Sequence, residues 1–219
     1  MKSTGALPPT IDHHTSRLIV GLIAISLAPL TNILSLEVQL DSISASYHEG
    51  GWARDIFVGF LFAISAFLLS YNGESKTEAI LSKVAAVSAL GVALFPCTCG
   101  GDHDLLLPSV HYISAAIMFL ILAYFCLCFY TKALSKGHSE AKIRAFIYGV
   151  CGALIILSIA VLAIDSMSDG SISKLTPRLT FVLENIGLTA FGIAWLTASR
   201  MFPFITSEEE RLTIKLTSG

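Results

Sequence analysis

Apolar residues dominate six stretches of the chain, near 18–36, 56–71, 79–96, 109–131, 145–164 and 180–199. Each is about 16–23 residues long, and at 1.5 Å of rise per helical residue that approaches or reaches the length needed to cross a hydrocarbon core roughly 30 Å thick. Polar, glycine-bearing segments such as Asn72-Gly73-Glu74 and Lys136-Gly137-His138 separate the stretches and read as loops. The pattern predicts an all-α, polytopic membrane protein: a six-transmembrane-helix bundle over 18–199, an N-terminal segment over 1–17 and a tail over 200–219. No connection is long enough to hold a second folded domain. The first stretch, nineteen residues long, exceeds a signal-peptide core of about 7–15 residues and reads as a retained helix.

Composition strengthens this reading, because 54% of the 219 residues are hydrophobic and only 14% charged, against about 25% charged in ordinary soluble domains. The net charge of −2 leaves no basic field for nucleic acid. The distribution of the basic residues is more informative, since Lys and Arg beside spans are retained in the cytoplasm. With the N-terminus inside, Lys2, Arg17, Lys76, Lys83, Lys132, Lys136, Lys142, Arg144, Arg200, Arg211 and Lys215 all lie inside, eleven of the fourteen basic residues. Only Arg54, Lys174 and Arg178 lie outside. Both termini are therefore expected in the cytoplasm, with the loops near 37–55, 97–108 and 165–179 facing outward.

Small residues let helix backbones approach in lipid, so stripes of them mark interior faces. The candidates are Gly21, Ala24, Ala28 and Asn32 in the first span, and Asp55, Gly59, Ala63, Ala66 and Ser70 in the second. Later spans contribute Ser82, Ala85, Ala86, Ala89 and Ala93, then His111, Ser114 and Ala115, then Gly149, Gly152, Ser158 and Asp165. Asn32, Asp55, His111, Asp165 and Glu184 stand on five different spans, each within about two turns of the outer end, at one depth. Ionisable groups in lipid face the bundle interior or water because their burial unpaired is costly. The set reads as a polar pocket open to the outer face, for a lipid headgroup or a small polar ligand, or as a permeation or assembly site. The structural alternative is a set of separate interfacial residues whose side chains snorkel to water.

The loop ahead of the second span adds Ser44, Tyr47, His48, Glu49 and Arg54 around Gly50-Gly51 and Trp52. Gly50-Gly51 permits a turn that folds His48 back toward His111. His48, Asp55, His111 and Glu184 would then offer imidazole and carboxylate ligands for a divalent metal such as zinc; a salt-bridged, hydrogen-bonded network is the competing reading. Cys97 and Cys99, beside Asp102, His103 and Asp104, suit either a disulfide or a second metal site, whereas Cys126, Cys128 and Cys151 are embedded in apolar sequence as packing thiols. Haem is disfavoured because His111 alone among the six histidines lies within a span. Phosphate-loop, H-E-x-x-H and G-x-S-x-G motifs are absent from the sequence. The Glu208-Glu209-Glu210-Arg211 run reads as a solvated tail.

Several segments carry a resemblance: Ser42-Ile43-Ser44-Ala45-Ser46-Tyr47-His48, Arg54-Asp55-Ile56-Phe57-Val58-Gly59, Gly91-Val92-Ala93-Leu94-Phe95-Pro96, His111, Glu184 and Ala190-Phe191-Gly192-Ile193-Ala194-Trp195. Over about residues 40–200 the chain resembles an uncharacterised family of small bacterial six-span integral membrane proteins. The resemblance implies a bacterial inner membrane and matches the family's characteristic residues at His48, Arg54, Asp55, His111 and Glu184. Ser44-x-x-x-His48 with Asp55 is also similar to the first half of the motif of the CREST superfamily of membrane hydrolases, which implies zinc held by Ser, Asp and His. This chain departs from that pattern in having six spans and Glu184 where the last helix would carry H-x-x-x-H. The corresponding enzyme reading is a metal-dependent hydrolase with His48, Asp55 and His111 on the ion and Glu184 as general base on a metal-bound water.

Overall fold

A computed structural model describes residues 13–100, 108–207 and 210. Six long helices answer to the six apolar stretches: α1 (His13–Leu34), α3 (Gly51–Ser70), α4 (Lys76–Leu94), α5 (Pro108–Leu134), α6 (Ser139–Met167) and α7 (Leu179–Ala198). A single turn, α2 (Ser46–Glu49), precedes α3. All six long helices are long and apolar enough to cross a membrane, and no strand occurs among the described residues.

The helices form a closed ring in chain order. α1 packs on α3, α3 on α4, α4 on α5, α5 on α6, α6 on α7, and α7 returns to α1. Each helix runs antiparallel to its neighbours, so the start of α1 and the end of α7 share one end of the bundle. Trp195 fills the middle of that half, its ring centroid 4.8 Å from Phe191, 5.1 Å from Phe129 and 5.6 Å from Phe125. The tightest seam is α1 against α7. A Cβ on Gly21 would lie 2.8 Å from the Gly192 carbonyl oxygen, and one on Gly192 would lie 2.8 Å from the Gly21 oxygen.

Most expected interior stripes face inward. Ala24, Ala28, Ser82, Ala85, Ala86, Ala89, Ala93, His111, Ser158 and Asp165 are all buried. The α3 stripe is the correction: Asp55, Gly59 and Ala66 are exposed, and the buried face carries Ala53, Phe57, Leu61, Ile64, Ser65 and Leu68. Large side chains, not small ones, fill the space between α3 and its neighbours.

Both α5 and α6 extend beyond their apolar cores because charged residues near their ends find partners. Ser75 caps α4, its hydroxyl oxygen accepting from the Glu78 N–H at 3.1 Å. Glu78, almost fully buried, accepts Lys132 Nζ from α5 at 2.8 Å on both carboxylate oxygens, with Glu74 3.4 Å from the same ammonium. Arg144 of α6, 2% exposed, donates to the Ile205 carbonyl at 2.6 Å and to Glu210 at 2.6 Å. Glu210 also pairs with Lys136. The tail expectation is corrected here, because Glu210 is docked on the bundle; Glu208, Glu209 and Arg211 lie outside the described residues.

Candidate functional site

The opposite end of the ring gathers several of the polar residues singled out above. The chain between α1 and α2 crosses over the bundle and buries Ser42 and Ser44, and Ser46 is buried at the start of α2. Backbone N–H groups in such a turn lack helical acceptors and need others. Glu184, in the second turn of α7, supplies them: its Oε2 accepts from the Ile43 N–H at 2.6 Å, and Oε1 lies 3.5 Å from Ser44 Oγ. Glu184 therefore meets the 42–44 turn rather than Arg54, and it reaches histidine only through Ser44.

His111, 3% exposed at the start of α5, completes this chain. Its Nδ1 is 2.7 Å from the Phe95 carbonyl oxygen and its Nε2 3.1 Å from Ser44 Oγ. A carbonyl only accepts, so Nδ1 must carry the proton, and in the neutral ring Nε2 then accepts from the Ser44 hydroxyl. The result is a buried relay, Phe95 carbonyl to His111 to Ser44, with the Glu184 carboxylate on the far side of the serine.

His48 approaches the same turn from α2. Its Nε2 lies 2.7 Å from the Cys97 carbonyl oxygen, two residues beyond the carbonyl that orients His111. Gly50 and Gly51, with φ of 70° and 51°, occupy backbone conformations that favour glycine and let α2 fold back before α3 begins. Cys97 and Cys99 are joined in a disulfide, Cα to Cα 5.2 Å; Asp102, His103 and Asp104 lie outside the described residues.

The remaining candidates are placed differently. Asp165 is buried at the end of α6, where its Oδ1 accepts from the Ile172 and Ser173 N–H groups at 2.8 and 2.9 Å and closes the following loop. Asn32 accepts from Arg178 Nη2 at 2.5 Å, while the Arg178 Nε donates to the Leu40 carbonyl at 2.8 Å. This pair pins the crossing segment to the ends of α1 and α7. Arg54 and Asp55 stand exposed in the first turn of α3, 3.7 Å from each other.

A cavity of about 450 Å³ lies beside the relay. Ser44, His111, Glu184, Asp165 and Thr180 line its polar part, and Ala115, Phe119, Ile159 and Leu162 its apolar part. Ala116 and Ala163 also line it and are exposed on α5 and α6, so the cavity reaches the side of the bundle that faces lipid.

As a metal centre, the set His48, Asp55, His111 and Glu184 does not fit one ion. Both His111 nitrogens, the His48 Nε2 and a Glu184 oxygen have protein partners, and Asp55 lies outside the cavity lining. Among the described residues the donors within 4.8 Å of one another are His48, Cys97 and Cys99, and in the disulfide the two sulfurs are not thiolate ligands.

Ser42 and the Phe95 carbonyl were not legible as site components, since neither a buried serine in a loop nor a backbone oxygen leaves a residue-type signature. Ser75-x-x-Glu78 did leave one, the reciprocal pattern of a capped helix start. No protein-family model, curated protein or solved structure matches the chain.

Proposed function

We propose that the cavity beside Ser44 and His111 binds an amphiphile at the outer face of the membrane, taking the headgroup of a membrane lipid or a small polar ligand against its hydrogen-bonding wall. The outer placement follows from the distribution of basic residues, and the inner-membrane location from the resemblance to bacterial six-span proteins. One observation carries the reading: a single cavity of about 450 Å³ joins a polar wall to an apolar one and reaches the lipid-facing surface. That volume lies in the range of roughly 300–1,000 Å³ typical of small-ligand sites. Ser44, Glu184 and Thr180 would hold polar groups while Phe119, Ile159 and Leu162 take hydrocarbon.

The test is to block the lateral opening. Ala163→Trp adds an indole at an exposed position, so it should leave thermal stability within about 0.5 kcal/mol of wild type. It should reduce binding of a headgroup-labelled fluorescent phospholipid in detergent solution at least tenfold. Equal binding by wild type and Ala163→Trp would overturn the reading.

The Ser44–His111 hydrogen bond favours a second reading, hydrolysis of an acyl ester held in the cavity. Ser44 Oγ would attack the acyl carbon as its proton passes to His111 Nε2; the same proton would then leave on the alcohol oxygen, and water would release the acid. The Phe95 carbonyl fixes the tautomer this requires. A fluorophosphonate probe should then label wild-type protein at Ser44, and His111→Gln should slow that labelling by about 100-fold or more. Absence of labelling at Ser44 in folded protein would remove the hydrolase reading and leave the binding reading intact.

A further inference from the structure

The far end of the bundle carries a second site, about 30 Å away if measured along α5 from His111 to Lys132 at 1.5 Å per residue. A cavity of about 160 Å³ lies there, with Arg17, Lys132, Lys136, Arg144 and Arg200 around it, Glu74 as its one acidic lining residue and Tyr148 at its wall. Its volume equals roughly five waters at about 30 Å³ each, room for a phosphate group and its ester oxygen.

Among the described residues the charges around this cavity do not balance. Lys132 pairs with Glu78 and Glu74, and Lys136 and Arg144 share Glu210, which also lies 3.7 Å from His138. Among the described residues Arg17 and Arg200 have no carboxylate partner. Arg17 is nevertheless held in place: Nη1 donates to the Ala198 carbonyl at 3.1 Å, Nη2 reaches the Tyr71 hydroxyl at 3.5 Å, and the guanidinium carbon lies 5.5 Å from the Tyr71 and Phe129 ring centroids. Its Nε is buried and meets no acceptor. Buried donors are nearly always satisfied, so an unmatched guanidinium N–H at the edge of a basic cavity leaves positive charge for a nearby anion to balance.

The chain already places an anion beside this cavity. Glu210 reaches Arg144 at 2.6 Å and also contacts Lys136. Burial alone would raise its pKa, but the Lys136 hydrogen bond and the Arg144 charge outweigh that and hold it at about 2, far below the ordinary 4.5. The local field favours negative charge even against desolvation.

We propose that this basic cavity binds the phosphate group of an anionic ligand, either a lipid headgroup phosphate or a free phosphate, with Arg17 and Arg200, which have no carboxylate partner among the described residues, as its cations and the Glu210 carboxylate as the chain's own competitor. Phosphate suits the site because guanidinium groups present paired N–H donors that match its oxygens. The site shares no residue with the amphiphile cavity at the other end, so the two stand or fall separately.

Two substitutions separate this from a structural charge cluster. Arg200 follows α7 with φ of 56°, a left-handed conformation in which glycine is at ease, so Arg200→Gly removes a cation without backbone strain. Glu210→Gln removes the competing charge while keeping the side chain's shape. Full-length protein in neutral detergent is titrated by calorimetry with inorganic phosphate, short-chain phosphatidic acid and short-chain phosphatidylcholine. Phosphatidic acid is expected to bind, more weakly as salt rises, about tenfold more weakly in Arg200→Gly and several-fold more tightly in Glu210→Gln. Parallel binding of inorganic phosphate identifies the phosphate itself as the ligand, whereas binding of phosphatidic acid alone identifies a lipid. Absence of binding by either anion to wild type and Glu210→Gln, equal affinity in Arg200→Gly, or equal affinity for phosphatidylcholine would each overturn the proposal.

Discussion

Gly192→Ala and Gly21→Ala should each destabilise the folded protein by about 3 kcal/mol or more, while Gly59→Ala, on the same scale, should be neutral or slightly stabilising. The contrast follows from what a methyl group meets. At Gly192 it falls 2.6 Å from Ile25 Cγ1 and 2.8 Å from the Gly21 carbonyl oxygen; at Gly21 it falls 2.8 Å from the Gly192 oxygen and 2.7 Å from Leu196 Cγ. Ile25 and Leu196 can turn aside, but the carbonyls belong to helix backbones, and relief requires α1 and α7 to separate. Overpacking of this kind costs about 1–3 kcal/mol when side chains can yield and more when they cannot. At Gly59 a Cβ meets nothing within 4 Å, and alanine is the better helix former by roughly 1 kcal/mol. Thermal unfolding in detergent should rank the three variants. The double variant should cost less than the sum of the singles, because a seam opened once has little more to lose.

This seam shows why the architecture was legible and its lateral arrangement was not. Six apolar stretches of membrane-crossing length permit few outcomes other than six helices, and the backbone must satisfy its own hydrogen bonds in lipid. The direction each helix faces is a subtler matter. In α4 the small residues face inward, since its neighbours approach closely; in α3 the inward positions are Ala53, Phe57, Leu61, Ile64 and Leu68, and the small stripe faces outward. A span surrounded by hydrocarbon on one side and protein on the other has apolar residues on both, so hydropathy carries little azimuthal signal.

The same limit governs the candidate site. Depth drew attention to His111, Glu184 and Asp165, and the structure places all three on one cavity. Depth also drew in Asp55, which lies two residues beyond the inward-facing Ala53 and so about 200° around α3. That rotation carries it to the exposed side, where it meets Arg54. Asn32 sits at the chosen depth but is committed to Arg178. Ser44 became central through a contact 67 residues distant in sequence, to His111, which no local pattern encodes.

Lys132→Met should be the most damaging single change at the other end of the bundle, costing about 3–5 kcal/mol, while Glu78→Gln costs markedly less. The two partners differ in their access to water. The Glu78 side chain is 5% exposed and cannot leave the bundle, whereas Lys132 is 30% exposed and has Glu74 3.4 Å away. Without Lys132, a buried carboxylate keeps only the Glu74 N–H at 3.3 Å and the Ser75 hydroxyl at 3.3 Å. Stranding one member of a buried pair is the costly case, because desolvation remains when the attraction is gone. With Gln at position 78, by contrast, the amide oxygen still accepts one hydrogen bond, and the Lys132 ammonium turns to Glu74 and solvent, as long cationic side chains at span ends do. Combining Lys132→Met with Glu78→Gln removes both charges and should recover at least about 2 kcal/mol relative to Lys132→Met alone. Thermal unfolding of the two singles and the double provides the cycle. Equal losses in the singles with simple additivity in the double would mean that the pair contributes no coupling and that α4 and α5 are held together by their alanine seam alone.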